Sequence, residues 1–336
     1  MNLNPRPVIS VVIPAYNEAG SLPFVTKAVL KVLADENMTP ELIVVDDGSS
    51  DSTREVALDL SRKDPHIRYL RLSRNFGKEA AMSAGLAHAT GAAVILMDAD
   101  GQHPPALLAE FLDHWKKGVQ VVYAVQSRDH ESAMMRNLKS WYYRIMQMGS
   151  SAEIPADAGD FRLLDRKVVD ALNRLPERNR FMKGLYAWVG FKTHEIPFQP
   201  AVRLAGRSHY NFMRLFGLGV TGLTSFSLFP LRLVSAAGVL ISGGSIIYGL
   251  YLLFEHLAYG ERVPGWATLA IGMMLLSGIQ LLALGVIAEY LGRVFEEVKQ
   301  RPLYFIAEDT GHRAAHKLPQ PAAGADAPQT PVEVDA

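Results

Sequence analysis

The chain has no cysteine, so disulfides, thiolate nucleophiles and cysteine-ligated zinc are excluded. It has no surplus of either charge, with 34 Lys+Arg against 34 Asp+Glu and a formal net charge of zero. A general nucleic-acid binder needs a basic excess, so no nucleic-acid partner is expected. H-E-x-x-H, the Walker A pattern and G-x-S-x-G are all missing. The usual zinc hydrolase, P-loop NTPase and serine hydrolase readings therefore lose support. No internal repeat at solenoid spacing is present.

Charge is also scarce locally. Residues 233–288 hold only Glu255, Glu261 and Arg262, while charged residues make up about 23% of the rest, an ordinary soluble value. Two runs inside this stretch, Leu233–Phe254 and Val263–Ala288, are uncharged over 22 and 26 residues. A helix rising ~1.5 Å per residue needs ~20 residues to cross the hydrocarbon layer. Both runs are predicted to span, and their C-terminal position excludes a cleaved signal peptide. The outer flanks carry Arg214, Arg232, Arg293, Lys299 and Arg301, against one Arg in the intervening loop. The positive-inside rule then puts the bulk of the chain and both termini in the cytoplasm. Leu215–Leu231 is uncharged too, but short and interrupted by four Gly/Pro. It is predicted to be a helix in the interface, with a third span as the alternative. Residues 310–336, rich in Ala and Pro, are expected to be a disordered tail.

The N-terminal part alternates apolar runs of strand length with amphipathic stretches of helix length. Strands are predicted at Val8–Ile13, Glu41–Asp46, Arg68–Leu72, Ala92–Met97 and Val119–Val125. Helices are predicted at Leu22–Ala34, Thr53–Arg62, Lys78–Ala89, Pro104–Trp115 and Ala133–Met148. This is the pattern of an α/β, mainly parallel sheet covered on both faces. Ligands of such sheets bind beyond the carboxyl ends of the strands. Polar motifs follow four successive strands: Pro14-Ala15-Tyr16-Asn17-Glu18, Asp46-Asp47-Gly48-Ser49-Ser50-Asp51, Ser73-Arg74-Asn75-Phe76-Gly77-Lys78 and Asp98-Ala99-Asp100-Gly101-Gln102-His103. Ser52 and Glu55 fit a capping box for the second helix. Strand alternation would turn Asp98 and Asp100 to one side, where two carboxylates repel unless a cation lies between them. Hard oxygen ligands suit Mg²⁺ or Mn²⁺, with Gln102 adding a carbonyl oxygen. The competing reading is a helix N-cap before Pro104-Pro105.

These motifs, in this order and spacing, resemble glycosyltransferase family 2. The chain looks like its polyprenyl-phosphate branch, which contains dolichyl-phosphate mannose synthases and bactoprenol glucosyltransferases. The stretches Gly159-Asp160-Phe161-Arg162-Leu163, Arg180-Phe181-Met182-Lys183-Gly184, Arg203-Leu204-Ala205-Gly206-Arg207-Ser208 and Glu289-Tyr290-Leu291-Gly292-Arg293 through Arg301-Pro302-Leu303-Tyr304 fit as well.

The resemblance covers residues 8 to about 306. It implies a GT-A-type domain over 1–209, an interfacial helix region at 210–232, and a transmembrane hairpin with its post-membrane segment at 233–309. It implies a nucleotide-diphosphate sugar donor, here UDP-glucose, and transfer with inversion to undecaprenyl or another polyprenyl phosphate at the bacterial cytoplasmic membrane. By the same likeness Pro14, Tyr16, Glu18, Asp46, Asp47, Lys78 and Asp98 line the donor pocket, and Asp98, Asp100 and Gln102 hold Mg²⁺ or Mn²⁺. Tyr16 either stacks on the base or simply packs at a strand end; Lys78 either neutralises phosphate or is a solvated first-turn lysine. Asp160, Arg128 and Arg203 are the implied catalytic residues. Arg128, Arg136, Arg203 and Ser208 are implied to receive the acceptor phosphate, with Arg136 and Arg207 alternatively facing lipid headgroups. Asp160 either orients the acceptor or the sugar, or braces the Arg162 region.

Three residues depart from the pattern. His103 stands where many relatives have Asp, Gln126 where an Arg is frequent, and His209 where Lys is frequent. A homo-oligomer, a tetramer by analogy, is expected. The alternatives are a processive polysaccharide synthase, disfavoured by the missing Q-x-x-R-W, and a non-catalytic membrane sugar-nucleotide sensor or scaffold.

Overall fold

The chain is described from a computed structural model over residues 7–126, 158–178, 180–199, 229–259 and 265–311. Five strands come in the order predicted: β1 (Val8–Ala15), β2 (Thr39–Asp46), β3 (Ile67–Leu72), β4 (Ala93–Leu96) and β5 (Val121–Gln126). Four helices lie between them: α1 (Leu22–Asp35), α2 (Thr53–Lys63), α3 (Lys78–His88) and α4 (Leu107–Lys116). The predicted helix at 133–148 lies outside the described residues. Three further strands and two helices complete the domain: β6 (Ala158–Asp165), α5 (Arg166–Arg174), α6 (Met182–Trp188), β7 (Thr193–Phe198) and β8 (Ile306–Asp309).

All eight strands form one sheet in the order β7-β5-β6-β4-β1-β2-β3-β8. Four of the seven pairings are parallel. β6 runs antiparallel between β4 and β5, and β8 runs antiparallel on the edge strand β3. The sheet is buried on both faces because strand residues alternate between two apolar layers. On β1, Ile9, Val11 and Ile13 join one layer with α1 and α4, while Val12 joins the other with α3, α5 and α6. α1 buries Leu22, Val25, Val29 and Leu33, a helical stripe at three- and four-residue spacing. α3 comes so close to β1 that a Cβ on Gly85 would lie 2.1 Å from Val12 Cγ1.

Two apolar helices follow, α7 (Phe229–Tyr259) and α8 (Trp266–Val298). Within them Leu233–Leu252 and Leu275–Val298 are long and apolar enough to cross a membrane, with none of that surface buried inside the protein. That exposure separates them from the core helices of a soluble domain. The expected layout, a GT-A-type mainly parallel sheet followed by two long apolar helices, is met. Of the expected interfacial helix at 215–231 only Phe229–Leu231 are described, and they form the first turn of α7. Thr310 and Gly311, placed in the expected disordered tail, instead belong to the ordered edge. Thr310 N–H donates to Tyr69 O at 3.0 Å, and Tyr69 N–H to Thr310 Oγ1 at 2.8 Å.

Candidate active site at the strand tips

The loops after β1 and β2 are latched to each other. Asn17 takes a left-handed backbone (φ 58°) that Asn tolerates better than most side chains. Its Oδ1 accepts from the backbone N–H of Ser50 at 2.9 Å and of Asp51 at 3.3 Å. The Glu18 N–H donates to Thr53 Oγ1 at 2.8 Å. Ser52, expected to cap α2, makes no capping hydrogen bond. Asp51 Oδ1 accepts from Thr53 N–H at 3.0 Å instead, one residue earlier than the sequence pattern implied.

The two aspartates that end β2 are fully committed inside the protein. Asp46 is buried, accepting from Ser49 N–H at 2.7 Å and from the Tyr69 hydroxyl at 2.8 Å. That geometry makes it a brace for the β2 loop and leaves it no surface toward a donor. Asp47 accepts from the N–H groups of Phe76 (2.7 Å) and Gly77 (2.9 Å), and so fixes the loop after β3. Burial pushes its carboxyl above the ordinary range despite those two donors. Gly48 (φ +70°) completes the join: a Cβ there would lie 2.6 Å from the Arg74 carbonyl carbon. Beside these loops, Pro14 is half-buried, and Tyr16 is 48% exposed, its ring at the open rim and not packed in the core.

β4 stops at Leu96, so strand alternation does not reach Asp98 and Asp100. A turn carries them, with Gly101 at φ +77° and the Gln102 N–H donating to Asp100 Oδ1 at 3.0 Å. The N-cap alternative falls away as well. α4 begins at Leu107, three residues after Pro104, and its N-cap position is Ala106, with no side-chain cap. Asp98 lies at the centre of the polar contacts. Lys78 Nζ, from the first turn of α3, is 2.6 Å from Asp98 Oδ1 and 2.8 Å from Asp160 Oδ2 on β6. Lys78 is thus paired with two carboxylates while its side chain stays 42% exposed. Desolvation works against its charge, but the two carboxylates outweigh it and raise its pKa. Burial alone would raise Asp160, yet Lys78, Lys183 and Arg162 hold it down at about 2.

His103 has a defined role at the position where many relatives carry Asp. The Asp98 N–H donates to His103 Nδ1 at 3.2 Å, which leaves the ring proton on Nε2, 4.0 Å from Asp98 Oδ2. The ring stacks on Phe161 at 4.5 Å, and burial lowers its pKa.

Three polar side chains missed in the sequence complete the floor. Glu79, next to Lys78, accepts from the Met182 N–H at 3.2 Å. Burial, and then the Asp160 charge, push its carboxyl up to about 7. Arg162 is buried on β6, with its guanidinium 3.7 Å from the Tyr186 ring centroid and Nη2 donating to the Gly159 carbonyl. Tyr186, on α6, is itself buried. Asp160 Oδ1, Arg162 Nε and the Tyr186 hydroxyl are buried without a hydrogen-bond partner among the described residues. A charge inside an otherwise strand-like run was the available signal for Arg162; nothing local marked Tyr186. Arg128, Arg136, Arg203, Arg207, Ser208 and His209 lie outside the described residues, and Gln126 ends β5.

The donor set fits a divalent cation. Asp98 and Asp100 offer hard oxygens, and the imidazole of His103 has both nitrogens engaged or protonated. No group of three His, Asp or Glu with metal-binding geometry occurs among the described residues. A cation held here would therefore need oxygen ligands beyond the described His, Asp and Glu side chains.

A rim of carboxylates, amides and a lysine thus lies beyond the strand tips of a mixed, mainly parallel sheet. The profile of glycosyl transferase family 2 matches residues 10–172. An uncharacterized glycosyltransferase of Synechocystis sp. is 43% identical over 301 residues, spanning 89% of this chain and 95% of the relative. The SfII prophage-derived bactoprenol glucosyl transferase of Shigella flexneri is 38% identical over 299 residues, spanning 89% and 97%. Among solved structures, the mannosyltransferase of Pyrobaculum calidifontis in complex with GDP-Man and Mn²⁺ aligns over 88% of each chain, with 17% identity and a TM-score of 0.46. The chain belongs to glycosyl transferase family 2 and is a glycosyltransferase.

Proposed function

We propose that the protein transfers a sugar, glucose on this reading, from a UDP-linked donor to a polyprenyl phosphate at the cytoplasmic face of the membrane, inverting the anomeric carbon. The observation that carries this is full-length similarity to bactoprenol glucosyl transferases, with one example at 38% identity over 89% of the chain. The exposed apolar helices support a lipid acceptor, because the polyprenyl chain stays in the bilayer while its phosphate reaches the rim.

The donor's base would lie against Tyr16, between the latched loops of β1 and β2. Asp98, Asp100 and Gln102 would hold the divalent cation, which when bound neutralises the leaving diphosphate as a Lewis acid. Lys78 stands on the same side as Asp98 and adds a positive charge there. The acceptor phosphate has a second pKa of ~6, so it is largely ionised at neutral pH and needs no strong general base. Asp160 is held ionised at the floor. In this reading it orients the sugar or the acceptor, and Arg128, Arg136, Arg203 and Ser208 receive the acceptor phosphate.

The test is a panel of nucleotide sugars offered with undecaprenyl phosphate to the purified membrane protein, with and without EDTA. UDP-glucose is expected to give lipid-linked product only without the chelator. Asp100→Ala is expected to lower turnover roughly a hundredfold or more while the protein remains folded and membrane-bound. Full activity in EDTA or in Asp100→Ala would remove the cation from the scheme. Turnover that needs no lipid phosphate would remove the acceptor.

A further inference from the structure

Lys78 does more than add a charge to the rim. Its ammonium joins the tips of β4 and β6, 2.6 Å from Asp98 Oδ1 and 2.8 Å from Asp160 Oδ2. Asp98 is also one of the carboxylates that would hold the divalent cation. A metal ion and an ammonium on one carboxylate oxygen are like charges a few ångströms apart, and each weakens the other's hold. The other oxygen, Oδ2, lies 4.0 Å from His103 Nε2, beyond hydrogen-bond reach, and a cation held there would still stand within a few ångströms of the ammonium. Lys78 has somewhere else to go. Its side chain is 42% exposed and sits on the first turn of a helix, where the backbone N–H groups favour an anion.

We propose that Lys78 is an internal counter-ion that competes with the divalent cation for Asp98 and leaves that carboxylate for the donor's diphosphate when cation and donor bind together. The inference rests on the donor-site reading above and adds an order to it. The bare protein holds the cation weakly, because Lys78 occupies Asp98. Nucleotide draws the ammonium away and strengthens the cation's site, and by linkage the cation strengthens nucleotide binding equally. Asp160 keeps the ammonium close in the interval, so the lysine swings between two anions without being released to solvent.

The experiment uses the full chain in detergent micelles, with Mn²⁺ as the probe and free Mn²⁺ read from its paramagnetic resonance signal, with and without UDP. Lys78→Met is expected to bind Mn²⁺ alone about tenfold or more tightly than wild type, and to gain less from added UDP. Lys78→Arg keeps the charge and is expected to stay weak. Because Lys78→Met leaves Asp160 without its cation, the double variant Lys78→Met/Asp160→Asn supplies a fold that keeps the local net charge of wild type. It too is expected to bind Mn²⁺ more tightly than wild type. Wild-type Mn²⁺ affinity in Lys78→Met, or a return to it in the double variant, would overturn the competition. Failure of the underlying reading looks different: Asp98→Asn and Asp100→Asn would then bind Mn²⁺ as well as wild type, whatever stands at 78.

Discussion

Glu79 shows how closely charge is managed at single positions. Its carboxyl is pushed up to about 7, first by burial and then by the Asp160 charge, against the Met182 N–H, Lys78 and Lys183. The native state therefore keeps its proton over a range where the unfolded chain, near 4.5, has already lost it. The contribution to stability is complete below about pH 4.5 and disappears as the pH rises toward 7. Glu79→Gln keeps an acceptor for Met182 and removes the titration. Thermal melting of the solubilised protein should show the variant gaining on wild type by up to ~3 kcal/mol across that interval. Parallel pH profiles for the two proteins would contradict the raised pKa. Residues of this kind were not legible beforehand. The carboxylates at strand tips could be found because the chain places them directly after apolar runs. The bridge from Lys78 to Asp160 depends on β6 lying beside β4, a relation that no local pattern encodes.

Strands divide along the same line. β1, β2, β4 and β5 were readable because strands buried on both faces appear as apolar runs, and β3 from the apolar residues around Arg68 and Arg71. β6 was not, since Asp160 and Arg162 interrupt it, and β7 buries only Ile196 of its six residues. β8 is four residues long and acidic, the composition of a loop, and its strand state comes from its partner. Arg54 Nε and Nη2 donate to both oxygens of Glu308 at 2.8 and 2.9 Å, and Arg68 does the same to Asp309 at 2.9 and 2.6 Å. Paired two-point contacts of this kind hold better than ordinary exposed ion pairs. The residue before the strand also reaches the loop after β3: Ser73 N–H donates to Phe305 O at 2.9 Å, and the Phe305 ring lies 6.4 Å from that of Phe76, whose N–H is bound by Asp47. Glu308→Arg should therefore lower both the melting temperature and UDP affinity, and Arg54→Glu in the same chain should restore part of each. Unchanged UDP binding in the single variant would separate β8 from the proposed donor site.

At the scale of the whole molecule, the transferase domain and the apolar helices are joined at a second place besides the chain connection. Arg178 N–H donates to Glu297 Oε1 at 2.8 Å, and its side chain reaches the Arg301 carbonyl just past the end of α8. The far end of α8 is thus on the domain's side. The absence of cysteine makes the orientation easy to test. A single Ala258→Cys, near the end of α7, should react with an impermeant maleimide from outside intact cells. Ser61→Cys on α2 should react only after lysis. The reverse pattern would invert the topology.

The sheet's last position is filled by residues made after both long helices. Until they emerge, the growing chain carries β3 with an open edge and Arg54 and Arg68 without their carboxylates. Biosynthesis thus acquires a sequence: the enzyme finishes assembling only after its two long apolar helices have been made, and a molecule stalled before that step carries an unsecured loop after β3.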